Sequence, residues 1–286
     1  MIKLKDIPLY NLKENIKDLN LILAHLNENK EDETLYQHSN KTIDYFYKIN
    51  EIKGIEVALD NIINRVVVRG RHLDKKGTYL FKELFVNAIY LHDIGKINPA
   101  FQKIKMKNKN IDSSVSNSEH SLISALIYID IFSKKVEEIS DKKIKRFMEY
   151  LMYLNAYCIA KHHSYLKNID SFLSDLETLQ KRVVKKPEYI KYYLGSSNIE
   201  NLNFSQDKKR FASRNRIQKK EDYSYIEIYI FMKLLYSCIV SSDFYATYDY
   251  MNSEIDDFGI INDVDVLINQ YKNTDLYTSI ENYKSY

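Results

Sequence analysis

The chain has little of what turn-rich folds require: its 286 residues include only six glycines and three prolines. Sandwiches, barrels and doubly wound sheets reverse direction often, and glycine and proline supply many of their tight turns. The shortage therefore argues against all three architectures. Because 45% of the residues are hydrophobic, the chain can still bury a sizeable core. The composition predicts an all-α fold, a helical bundle with polar and basic loops.

Cysteine is also scarce, and this scarcity argues against two further classes of protein. Cys158 and Cys238 both lie in apolar runs, and no Cys-x-x-Cys motif occurs. A small disulfide scaffold and a cysteine-rich zinc site both need more cysteines than this. The sequence is therefore typical of a protein from a reducing compartment, and a cytoplasmic location is expected.

Several targeting and binding signals are missing as well. No stretch of about 18 apolar residues occurs and the N-terminus has no signal-peptide core, so no membrane segment is expected. The motif GxxxxGK[ST] is absent, which excludes a P-loop motor from this sequence. The net charge of +3 is too small to indicate nucleic-acid binding by itself.

Apolar residues spaced three and four positions apart predict helices along most of the chain. The first is expected over residues 10–30, where one face would carry Leu12, Ile16, Leu19, Leu23 and Leu26. Further helices are expected from about residue 34, over 56–69, over 78–94 with Gly95 as the stop, from an N-cap at Ser118 to past residue 131, and over 141–161, 169–181 and 223–250. One domain over 1–255 and a tail or linker over 256–286 are expected.

Five of the seven histidines and two aspartates lie at the ends or on the apolar faces of predicted helices: His38, His92, Asp93, His120, His162, His163 and Asp243. Burying such groups is unfavourable unless something compensates, and a divalent metal ion would do so. Adjacent helical residues point about 100° apart, so one ion bound by the tandem histidines requires an unwound turn, which a helix C-terminus supplies. Taken singly, each residue has an ordinary structural explanation; taken together, they predict a metal site. His25 and His72 lack a comparable context and are expected to be structural or solvated.

The order of these residues resembles the HD nuclease domain of the CRISPR-associated nuclease-helicase of type I systems. The local match is Leu91-His92-Asp93-Ile94-Gly95-Lys96 followed by Pro99-Ala100-Phe101-Gln102. The segments Glu119-His120-Ser121, Lys161-His162-His163-Ser164 and Ser242-Asp243 fit as well, so the resemblance spans roughly residues 34 to 250. No Gly-Tyr-Pro motif follows the tandem histidines, which argues against the cyclic-dinucleotide phosphodiesterase branch.

The resemblance implies an HD-domain helical bundle that binds two divalent transition metal ions side by side. Iron, manganese, nickel and cobalt suit such ligands, with magnesium as a further candidate. The first ion would be held by His38, His92, Asp93 and Asp243. Asp93 would bridge to the second ion, which His120, His162 and His163 complete. Asp93 and Lys96 would be the catalytic residues, Lys96 as a cation that contacts the scissile phosphate.

The implied activity is metal-dependent endo- or exonucleolytic cleavage of single-stranded DNA in CRISPR interference, an antiviral defence. The implied partners are a type I RNA-guided surveillance complex and a helicase, either fused beyond this sequence or separate. Candidate DNA contacts, for which a solvated loop is an equal alternative, are Lys103, Lys105, Lys208, Lys209, Arg210 and Arg214.

Two other functions remain open. An HD-family nucleotide phosphohydrolase or phosphodiesterase would use the same ligands on small nucleotides, and it would need a closed pocket around the base. A non-catalytic HD-fold binding module is the second alternative, but such modules normally lack some of the ligands, whereas every position is filled here.

Overall fold

The all-α fold class is confirmed in a computed structural model, which describes residues 2–68, 70–166, 169–204 and 225–252. Within these ranges the helices are α1 Leu12–Asn15, α2 Leu35–Lys53, α3 Ile55–Arg65, α4 Lys75–Tyr90, α5 Pro99–Ile104, α6 Ser121–Glu137, α7 Lys142–Lys161, α8 Phe172–Lys185 and α9 Tyr225–Asn252. They belong to one compact unit, Met1–Ser253. The predicted tail over 256–286 and residues 205–224 lie outside the described residues.

Helix α4 lies at the centre of the bundle. Every residue from Leu80 to Tyr90 is buried, because α4 packs against α2, α7 and α9 on different sides. Helix α6 pairs closely with α7, and α9 lies along α2. The residues that follow the C-terminal end of α4 therefore lie in the interior of the bundle.

A chain of buried polar groups ties three of these helices together. Tyr128 of α6 donates a hydrogen bond from its hydroxyl to Leu84 O of α4, at 2.8 Å. Asn155 of α7 donates from Nδ2 to the same hydroxyl at 3.0 Å. Since buried polar groups stabilise a unique packing only when they are paired, these bonds set the relative positions of α4, α6 and α7.

The predicted helix over residues 10–30 is wrong. The segment contains only the short α1, a 3-10 turn over Leu19–Leu21 and a strand, β1 Leu23–His25. β1 pairs antiparallel with β2 Glu33–Thr34, with His25 opposite Glu33. Two features favour this path over a helix: Asp18 is left-handed, with φ of 52°, and the polar run over 27–32 forms the hairpin turn. Leu12, Ile16 and Leu19 are buried all the same, which explains the misleading pattern.

Gln102 attaches this hairpin to the rest of the fold. Its buried amide pairs with β1 as a neighbouring strand would, accepting from Leu23 N at 2.9 Å and donating to Leu23 O at 2.8 Å. Gln102 also donates to Lys96 O at 2.7 Å. The Phe-Gln that follows the His-Asp motif therefore has a structural role, because Gln102 holds β1 against the turn after α4.

Two helix boundaries differ from prediction for local reasons. Over 56–69 the helix ends at Arg65, and Val67–Val68 instead form a strand, β3, paired with β4 Arg71–His72. Branched side chains favour extended backbone, which accounts for the early end. Helix α6 begins at Ser121, so the expected N-cap at Ser118 is wrong and His120 occupies that position.

Among the described residues, one helix is long and apolar enough to cross a membrane: Ile226–Asn252, with mean hydropathy 1.2. Core helices of water-soluble proteins can have the same composition, and this one packs against α2, α4 and α7. The absence of a membrane partner stays a prediction.

Asp130 of α6 should make the stability of the fold depend on pH. Burial raises the pKa of this carboxyl from 3.8 to about 6, against the effect of the hydrogen bond that Tyr193 Oη donates at 2.7 Å. A raised pKa in the folded state stabilises it at low pH, and the contribution is lost as pH rises through about 6. We expect the unfolding free energy of the wild type, relative to Asp130→Asn, to fall by on the order of 2 kcal/mol between pH 4 and 7. Urea titrations at both pH values measure this difference, and a constant difference would contradict the prediction.

Candidate metal centre

Helix α4 ends just before the His-Asp pair, and its last turn orients the ring of the first histidine. Leu91 closes the helix, and His92 and Asp93 lie in the turn that follows. His92 Nδ1 lies 2.9 Å from Ile89 O, one of the carbonyls left without a partner at the end of a helix. A carbonyl can only accept, so Nδ1 carries the proton and Nε2 keeps its lone pair for a ligand.

Helix α7 ends in the same manner. It stops at Lys161, and the tandem histidines lie in the turn beyond, the unwound geometry that two adjacent ligands require. His162 Nδ1 lies 2.6 Å from Ile159 O, so its Nε2 also keeps a free lone pair. His163 is exposed, whereas His162 is buried.

Three more elements contribute one residue each. His38 is fully buried on α2, and Asp243 projects from the middle of α9. His120 occupies the N-cap position of α6, but its side chain makes no capping bond there. Phe101 packs edge-on against the His120 ring, with 4.8 Å between centroids. Asn98 donates to Glu119 O at 3.0 Å, which holds the backbone just before His120.

The structure brings all seven predicted ligands together, in two groups that share Asp93. One group contains His38, His92, Asp93 and Asp243; the other contains Asp93, His120, His162 and His163; in each, the ligand atoms lie within 4.8 Å of one another. The two carboxylate oxygens of Asp93 divide between the groups. Oδ2 lies 3.4 Å from His38 Nε2 and 3.6 Å from His92 Nε2, while Oδ1 lies 3.3 Å from His120 Nε2 and 3.4 Å from His162 Nε2.

The separations between these atoms match the spacing of ligands around a metal ion better than they match hydrogen bonds. Buried polar atoms usually have hydrogen-bond partners. Yet within the described part of the chain, Nε2 of His38, His92 and His162 and Oδ1 of Asp93 are buried without one, while Asp93 Oδ2 lies 2.7 Å from the Lys96 ammonium. Separations of 3.3 to 3.6 Å are long for hydrogen bonds. Two ligands that each lie about 2.1 Å from one ion are roughly 3.0 to 3.4 Å apart.

The two aspartates carry negative charge into this interior. Burial raises the pKa of Asp93, but Lys96, His92, His120 and His162 outweigh it and hold that pKa well below its ordinary value. The pKa of Asp243 is also low, since bonds from His38 and His92 overcome the effect of burial. Both carboxylates are therefore ionised at neutral pH, as ligands of a cation must be.

Lys96 lies inside the site and contacts protein groups instead of facing open solvent. The residue is 4% exposed, and its ammonium lies 2.7 Å from Asp93 Oδ2. It also donates to Ala24 O at 3.1 Å and lies 3.3 Å from His25 Nε2. The geometry places the cation on the shared carboxylate, whereas the sequence interpretation had it contact a phosphate directly.

His25 and Glu33 belong to the surroundings of the centre, although sequence reasoning left His25 aside and did not consider Glu33. His25 Nδ1 lies 2.8 Å from Glu33 Oε2, and the same oxygen lies 3.3 Å from His38 Nδ1. The missed signal was the polar run over 27–32, which marks a turn between two short strands. His72, by contrast, is exposed on β4, as expected of a solvated histidine.

Gly95 has a different role from the helix stop that the sequence suggested. Helix α4 ends at Tyr90, five positions earlier, and Gly95 does not have a positive φ. A Cβ at Gly95 would collide with His120 O and would lie 2.6 Å from Ser124 N. Glycine is needed here because the backbone after α4 touches the backbone at the start of α6.

Two of the predicted DNA contacts lie on described residues. Lys103, at the end of α5, and Lys105, just after it, are exposed, and Lys103 lies 3.5 Å from Asp112 Oδ1. The other four, Lys208, Lys209, Arg210 and Arg214, lie outside the described residues.

No family model, curated protein or solved structure matches this chain. The resemblance to HD nucleases therefore rests on the motif residues. What the geometry adds is independent of any relative: seven side chains from five elements converge around one shared carboxylate.

Proposed function

We propose that the chain is a metal-dependent phosphodiesterase that cleaves single-stranded DNA in CRISPR interference. The observation that carries the proposal is the position of Asp93. One buried carboxylate faces two ligand groups, one with each oxygen, which is the arrangement that suits a pair of ions acting on one phosphate.

His38, His92, Asp93 and Asp243 would hold one ion, and Asp93, His120, His162 and His163 the other. When bound, two divalent ions supply a hydroxide near neutral pH and neutralise charge on the phosphate oxygens. The contribution of the protein itself is to orient the ligands. Ile89 O and Ile159 O fix the tautomers of His92 and His162, and Lys96 balances the charge of Asp93. No serine or cysteine nucleophile is required.

The exposure of the second ligand group supports a large substrate. His163 is exposed and lies 3.1 Å, Nε2 to Nε2, from His120, whereas His38 and His92 are fully buried. A phosphate in the middle of a nucleic-acid strand would reach the centre from this open side. Single-stranded DNA as the substrate, and a CRISPR surveillance complex and a helicase as partners, follow from the resemblance.

Cleavage of circular single-stranded DNA tests the proposal. The purified chain is treated with chelator, and manganese, nickel, cobalt, iron, magnesium and zinc are then added back singly. We expect the chelated protein to be inactive and at least one transition metal to restore cleavage, because the ligands are mixed histidine and carboxylate. Circular DNA has no ends, so its cleavage also identifies endonucleolytic activity.

The same preparations are assayed against deoxynucleoside triphosphates and cyclic nucleotides. Turnover of these small substrates with intact DNA would favour the nucleotide phosphohydrolase instead. Bound metal without turnover of any substrate would indicate a binding module.

A further inference from the structure

Glu33 is a buried acid of the β1–β2 hairpin that contacts two histidines at once. It is 3% exposed, and its Oε2 lies 2.8 Å from His25 Nδ1 and 3.3 Å from His38 Nδ1. This carboxylate therefore lies directly behind one of the proposed metal ligands.

His25, Glu33 and His38 also form a third group that could hold a metal ion by separation alone. Two distances argue against an ion there. The 2.8 Å between His25 and Glu33 is a hydrogen-bond length, which leaves no room for a cation between them. His38 meanwhile directs Nε2 towards Asp243 Oδ1 at 3.2 Å, so only Nδ1 faces Glu33.

We propose that Glu33 is a positioning residue that orients His38 for the first metal ion. The Glu33 carboxylate lies 3.3 Å from His38 Nδ1, while Nε2 of the same ring faces Asp93 and Asp243. A carboxylate behind a ligating imidazole fixes its tautomer and makes it a better donor, and loss of such a partner lowers metal affinity about 10- to 100-fold. This role rests on the metal centre of the proposed function.

The two ligand groups differ in the contacts that orient their histidines. His92 and His162 are oriented by the backbone carbonyls of Ile89 and Ile159. Within the described residues, Glu33 is the one carboxylate outside the two ligand groups that contacts a ligand histidine. Its replacement should therefore weaken the first ion and leave the second unaffected.

Cobalt binding, followed by visible absorption without nucleic acid, tests this asymmetry. Glu33→Gln is placed in two backgrounds: His163→Asn, which leaves the first ligand group complete, and Asp243→Asn, which leaves the second complete. We expect Glu33→Gln to raise the cobalt Kd about 10- to 100-fold in the His163→Asn background and less than about twofold in the other. Glu33→Asp keeps the charge and should retain more of the affinity than Glu33→Gln.

Glu31→Gln is the matched control, since Glu31 is exposed and lies two residues earlier on the same hairpin. It should bind cobalt as its parent does. Unchanged affinity of a folded Glu33→Gln in the His163→Asn background overturns the proposal, and so does equal weakening in both backgrounds. If Glu33→Gln fails to fold, Glu33→Asp decides between the same outcomes. Normal cobalt binding without cleavage of any substrate would count against the proposed function and leave the role of Glu33 standing.

Discussion

Asp93→Asn should abolish metal-dependent cleavage and remove the ligand that the two proposed metal sites share. The amide keeps the size of the carboxylate but loses the charge that both ligand groups share, so neither group keeps its anionic bridge. We expect the cleavage rate to fall by a factor on the order of 10³ or more. Metal content after dialysis, expected to be two ions per wild-type chain, should drop below one.

Asp130→Asn is the control for Asp93→Asn, because it also neutralises a buried carboxylate but contacts Tyr193 instead of the metal ligands. It should retain both ions and full activity at pH 7. Circular dichroism of both variants should show the wild-type helix content. Wild-type cleavage by a folded Asp93→Asn would disprove the shared-carboxylate centre.

Gly95→Ala should destabilise the fold and disable the second ligand group. The added methyl would collide with His120 O and approach Ser124 N to 2.6 Å, and backbone atoms cannot rotate away as a side chain can. It would also disturb the bond that Gly95 N donates to Ser124 Oγ at 2.8 Å. Overpacking of this kind lowers the free energy of unfolding by on the order of 3 kcal/mol.

Gly77→Ala gives the matched comparison, because the nearest atom to its new methyl is Asp74 Oδ1 at 3.2 Å. In the first turn of α4, alanine should be neutral or slightly stabilising. Thermal melts should show a large loss for Gly95→Ala alone. In the Asp243→Asn background, where the ion depends on His120, cobalt titration should show weaker binding for Gly95→Ala than for its parent. Equal melting temperatures for the two glycine variants would refute the close-approach explanation.

The sequence indicated the seven side chains that converge because each one lies where a helix pattern breaks or turns polar. His92 and His162 follow long apolar runs, and Asp243 interrupts one, so each stands out against its surroundings. Their convergence depends on packing that no local pattern encodes, and here α4, buried on several sides, provides it.

The missed hairpin has a physical cause. Leu12, Ile16 and Leu19 are buried at helical spacing without forming one continuous helix, so periodicity alone could not reveal the hairpin. Missing the hairpin meant missing Glu33. The role of Lys96 as a phosphate contact stays a prediction, and its ammonium lies 2.7 Å from Asp93 Oδ2.

The order in which the ligands are synthesised has a consequence for the living cell. His38 emerges from the ribosome early, but Asp243, which faces it in the same ligand group, is added near the end. A nascent chain therefore carries most of the histidines long before it can close the first ligand group. Any chemistry that requires the complete first ligand group would be withheld until translation has passed Asp243, so prematurely terminated copies would lack it.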